Sequence, residues 1–142
     1  MADIDPTALL AYSASLQIFV SSLLGALMLI PMQPWGKSLR PKLDMRALLA
    51  THLDWLMLAF MQGVAAFLFM HWPETKSRGV AIALVFGGWI NPVSYLFRGF
   101  GVNAFAFAGP PLQRAAATLV GVSAACIIAA WAMILWRFRF HP

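Results

Sequence analysis

The sequence predicts an all-α integral membrane protein, a single membrane domain over residues 1–142 built as a four-helix bundle, and three observations carry that prediction. Hydrophobic residues make up 61% of the chain and the mean hydropathy is +0.76, outside the range of an ordinary soluble domain. Charged residues are only 11%, ten basic and five acidic, too few to decorate the polar faces that several amphipathic helices need in water. The apolar residues also fall into four runs of bilayer-crossing length, separated by segments rich in Pro, Gly and charge. A net charge of +5 and an isoelectric point near 10.2 could suggest nucleic acid. The basic residues stand at the ends of the apolar runs, however, so they read as lipid anchors and topology signals, and no nucleic-acid partner is expected. A lone cysteine, Cys126, excludes a disulfide or a cysteine metal cluster within one chain.

The start of the chain is short and acidic, with Asp3 and Asp5 and no basic stretch, so the first apolar run is expected to stay in place rather than to be cleaved as a signal peptide. That run covers residues 9–32, roughly 36 Å as a helix against a hydrocarbon core of about 30 Å. Pro31, Pro34 and Gly36 end it. The following loop holds Lys37, Arg40, Lys42 and Arg46 against Asp44. The second run, residues 47–72, closes at Trp72-Pro73, followed by Glu74, Lys76 and Arg78. The third, residues 79–100, is interrupted by Gly87, Gly88, Asn91 and Pro92. A long connector leads to the fourth, residues 115–136, which ends in Arg137 and Arg139. Six basic residues in the first and third loops oppose four on the side of the termini, which favours a multi-pass topology with those two loops in the cytoplasm.

Polar side chains are costly in lipid, so those inside the runs are the site candidates: Gln17, His52, Asp54, Gln62, Asn91, Ser94, Tyr95 and, near a helix end, Arg98. Gln17, Gln62 and Ser94 read as hydrogen bonds between helices. Asn91 and Tyr95 are one helical turn apart and present an amide and a phenol to the same space. Pro92 has no N–H, so the Gly88 carbonyl loses its helical partner; proline also disfavours a helical conformation at Asn91, and a kink is expected. The Asn could equally satisfy the freed backbone groups of a structural kink. His52 could be a donor between helices, a proton relay or a metal ligand. Asp54, two residues on, faces elsewhere; His71 lies roughly 28 Å further along the helix, and His141 lies beyond the last run. A bis-histidine haem clamp within one chain is thus excluded, whereas one axial His with an open opposite face is not.

The segment Gly88-Trp89-Ile90-Asn91-Pro92-Val93-Ser94-Tyr95-Leu96-Phe97 resembles the Gly-Trp-x-Asn-x-x-x-Tyr-x-Phe segment of styrene oxide isomerases, small haem b membrane enzymes. Thr51-His52-Leu53-Asp54 resembles the histidine-bearing start of their second helix, and Phe100-Gly101-Val102-Asn103 the connector after their third. The chain departs from the pattern in Pro92, in the bulky Trp55 and in a short C-terminal tail.

The resemblance implies His52 as the proximal ligand of ferric haem b, with Asn91 and Tyr95 lining the distal face and holding a substrate oxygen. It implies a homotrimer in which the His and the Asn/Tyr pair acting on one haem come from different chains. The reaction it implies is the rearrangement of an apolar aryl epoxide to an aldehyde, of the styrene oxide to phenylacetaldehyde type, in a bacterial inner membrane. Such chemistry suits this composition. Metal Lewis acidity polarises the epoxide C–O bond, hydrogen-bond donors where negative charge develops are worth several kcal/mol in a dry site, and a lipid-lined pocket keeps out the water that would trap the cation as a diol. Trp55, Phe60, Trp89 and Phe97 are candidate walls or packing residues, and Arg98 is either a partner for a haem propionate or an interfacial anchor. Two other functions stay open: a non-catalytic haem protein for sensing or haem handling, and a cofactor-free assembly or transport partner.

Overall fold

A computed structural model describes residues 4–140, all of whose regular elements are helical. Asp3 and His141 lie outside the described residues. Helix α1 is Pro6–Leu27, α2 Met45–His71, α3 Arg78–Ile90, α4 Val93–Gly99 and α5 Pro111–Phe140, with short 3-10 turns at Ile30–Met32, Pro34–Lys42 and Pro73–Thr75. Four stretches, Pro6–Met32, Met45–His71, Arg78–Gly99 and Pro111–Arg139, are long and apolar enough to cross a membrane. Their outward faces carry large exposed apolar side chains, among them Phe19, Met57, Phe60, Ile128 and Leu135, as a surface solvated by lipid requires.

The helix ends follow capping chemistry more closely than hydropathy. Asp5 caps α1 by accepting from the Ala8 N–H, and Pro6 fills the first position, where no N–H is needed. Asp44 caps α2 through the Arg46 and Ala47 N–H groups at 3.0 and 3.1 Å. α5 starts at Pro111 and runs past Trp136, a turn beyond residues 115–136 at each end, because Gln, Arg and Phe sustain a helix after the apolar run has ended. The first loop is itself wound into 3-10 turns.

α1 packs chiefly on α2, α3 chiefly on α5, and α4 docks on the start of α2. The apolar core, Leu10, Ala65, Ala66, Phe69, Val80, Ala81, Leu84, Ala130 and Ile134, lies toward the end of the bundle that carries the α2–α3 turn. Alanines at these contacts let backbones approach, the usual solution where lipid offers no hydrophobic drive for helix association.

The loops sort to two sides. The Asp44 N–H donates to the Gly99 carbonyl and Asp44 faces Arg98, which puts the first and third loops together. At the other end Arg137 donates to the Thr75 and Lys76 carbonyls, and Lys76 pairs with Asp5. The Lys76 ammonium is the main cause holding the Asp5 carboxyl below its ordinary value of 3.8. A depressed carboxylate stabilises the fold at neutral pH, and that contribution is lost as the pH falls through the lowered value. Asp5→Asn is therefore expected to lower the thermal midpoint in detergent slightly at pH 7 and by less as the pH falls through the lowered value; a shift that stays the same across that range would rule out the ion pair as the cause.

Candidate functional site

His52 sits half-buried on α2 against α1. Its Nδ1 lies 2.8 Å from the Ser21 carbonyl and 2.9 Å from Ser21 Oγ, while that hydroxyl donates to the His52 carbonyl at 2.7 Å. A carbonyl only accepts, so Nδ1 carries the proton, and in the neutral imidazole Nε2 is left with its lone pair. Gly25, one turn after Ser21, makes room for the ring: a Cβ there would stand 3.0 Å from Cε1. A metal-binding histidine is commonly held in this way, with one ring nitrogen bonded to a backbone oxygen so that the other keeps its lone pair. Among the described residues there is no cluster of three or more His, Cys, Asp or Glu. A haem iron takes four donors from its macrocycle and needs only one from the protein, so a single His52 held in one tautomer is a sufficient donor for that group.

A second polar layer spans the helix break. α3 ends at Ile90 and α4 begins at Val93, with Asn91 at φ −54°, ψ −49° and Pro92 at φ −73°, ψ −9°. Asn91 thus stays helical, against the expectation from its proline neighbour, and the flattened ψ of Pro92 takes up the break. The Gly88 carbonyl, which Pro92 cannot serve, accepts from Gln17 Nε2 at 2.5 Å, and Gln62 Nε2 donates in turn to Gln17 Oε1 at 2.7 Å. Both glutamines are fully buried, and a Cβ at Gly88 would overlap the Gln62 amide. Trp55 Nε1 donates to the Trp89 carbonyl at 3.3 Å and Trp89 Nε1 to Ser13 Oγ at 3.0 Å. The freed backbone groups are therefore met from α1 and α2, and Asn91 plays no part in satisfying Gly88.

Asn91 and Tyr95 are half-buried. The Tyr95 ring packs edge-on to Phe105, centroids 4.8 Å apart, and Tyr95 lines an open cavity of about 340 Å³ with Ala47, Ala50, Arg46 and Arg98. Arg98 is exposed, its Nε 3.9 Å from Asp44 Oδ2. His52 lines neither this cavity nor the larger one beside it; it addresses α1, whereas Ala47 and Ala50 address α4. One chain accordingly does not close His52 and Tyr95 around a common space. The Asp54 side chain, half-buried, has no hydrogen-bond or ion-pair partner among the described residues. His71 is exposed at the opposite end, bonded to the Phe67 carbonyl and set against the Phe67 ring. Trp55 and Trp89 are engaged in the bend, and Phe60 faces outward.

Sequence reasoning missed Ser21 and Gly25. With Gln17 they recur every four residues, one stripe of α1, and that polar-small stripe facing a histidine-bearing helix was the available signal. No protein-family model, curated protein or solved structure matches the chain.

Proposed function

We propose that this chain is a haem b-dependent membrane isomerase that converts apolar aryl epoxides to aldehydes, working as a homotrimer in a bacterial inner membrane. The observation that carries the reading is the His52 imidazole, pinned at Nδ1 by both oxygens of Ser21 and leaving Nε2 to act as a ligand. The bound haem iron would supply a Lewis-acid site for the epoxide oxygen. His52 holds that group, and Ser21 orients His52. Asn91 and Tyr95 are the donors for the oxygen on which negative charge develops when the benzylic C–O bond breaks. Within the substrate a hydride moves from the oxygen-bearing carbon to the benzylic carbon as the carbonyl forms; no atom or electron enters or leaves. The apolar helix faces keep water from the cation.

Because His52 and Tyr95 face different neighbours in one chain, the reading requires a second copy to bring the Asn/Tyr pair across the haem. The same His52 geometry would serve a haem protein without this activity, and assay separates the two. Purified with haem supplied, the chain is expected to show a Soret band and to turn styrene oxide into phenylacetaldehyde. Tyr95→Phe should keep the band and lower turnover about 100-fold, the scale of one lost oxyanion donor. A Soret band with no aldehyde from any epoxide in a panel would leave the non-catalytic haem protein. Absence of the band would dispose of both.

A further inference from the structure

At the membrane edge where the first and third loops meet, two polar cavities share the side chains of Asp44 and Arg98. One, about 550 Å³, is lined by Lys42, Asp44, Arg98 and Asn103 together with loop backbone; the other, about 340 Å³, adds Arg46 and Tyr95. Three cations, Lys42, Arg46 and Arg98, thus bound this space against one acid. That acid is already spent: one oxygen caps α2 through two backbone N–H groups, and the other meets Arg98 only at 3.9 Å. Arg46 and Lys42 have no side-chain partner among the described residues. Directly behind lies a small apolar slot of about 150 Å³ between Leu24, Met28, Leu43, Leu48 and Phe100. Leu43 lines both the larger polar cavity and the slot, and Phe100 of the slot stands between Gly99 and Gly101 of the cavity.

We infer that this juxtaposition is a binding site for an anionic phospholipid, its phosphate held by Lys42, Arg46 and Arg98 and the upper methylenes of one acyl chain in the slot. An isolated basic patch would suit any anion. Here the cations stand where α2 enters and α4 leaves the apolar stretches, the level of lipid headgroups, and the charged space shares Leu43 with a hydrocarbon-lined one. That is the order of groups along a lipid molecule, and juxtamembrane cations are the usual recognition element for anionic headgroups. The inference does not need the haem reading, although Tyr95 and Arg98 belong to both.

The test is native mass spectrometry of the full chain in a neutral detergent, titrated with phosphatidylglycerol and, separately, with phosphatidylcholine of the same acyl chains. A one-to-one adduct favouring phosphatidylglycerol is expected. Lys42→Gln and Arg98→Gln should each weaken it about five-fold, the factor for ~1 kcal/mol per cation near an anionic headgroup. Lys37→Gln in the first loop and Arg114→Gln in the first turn of α5, cations that line neither cavity, should leave it unchanged. Equal loss from all four variants would mean a diffuse positive field and overturn the site. Competition by millimolar inorganic phosphate at undiminished strength in a Leu43→Ala variant would make it a small-anion site without a lipid tail. Loss of haem from Arg98→Gln, with lipid binding intact, would reassign the cation to a haem propionate.

Discussion

His52→Ala, expressed with haem supplied and purified in detergent, is expected to lose the Soret band, retaining less than about a tenth of the haem carried by the parent chain. The size of the effect follows from the lack of a substitute ligand. His71, the other described histidine, is held at the opposite end of α2 by the Phe67 carbonyl. Ser21→Ala should be milder. It removes the hydroxyl yet keeps the Ser21 backbone carbonyl as an acceptor for Nδ1, so haem should remain, with affinity lowered toward the 10-fold end of the usual range for an outer-shell partner. A normal Soret band in His52→Ala would refute the ligand assignment outright.

Gln17→Leu is expected to destabilise the bundle by about 1–3 kcal/mol, read as unfolding in mixed detergent and SDS micelles. The substitution strips the Gly88 carbonyl of its donor and the Gln62 amide of its acceptor, leaving both buried beside a Gln62 Oε1 that already lacks a partner. The cause can be isolated. Pro92→Ala restores an N–H that can return to the Gly88 carbonyl, so in that background Gln17→Leu should cost less than half as much, a coupling that a double-mutant cycle measures directly. Equal costs in the two backgrounds would show that the bond to Gly88 contributes nothing to the loss.

Hydropathy made the all-helical class and the four spanning runs legible, since a run's length against the bilayer is a one-dimensional property. The loss of the Gly88 helical bond was legible too, because proline chemistry is local. What replaced that bond was not. Gln17 stands 71 residues from Gly88, and no pattern along the chain says which buried amide meets which carbonyl. The same holds for Ser21 and His52, 31 residues apart. Trp55 and Trp89 look like pocket walls in a sequence because an indole is mostly apolar; in the fold, their N–H groups decide their places.

The bond between Gln17 and the Gly88 carbonyl also constrains the order in which this chain can change over generations. A proline at position 92 is tolerable only where an amide already waits at position 17. Replacing Pro92 by a residue with an N–H strands nothing, because the Gly88 carbonyl has two lone pairs and can accept from that N–H and from Gln17 Nε2 together. Losing Gln17 first strands a buried carbonyl and a buried amide at once. The two positions are therefore exchangeable in one direction only, and a lineage leaving this bend behind would have to give up the proline before the glutamine.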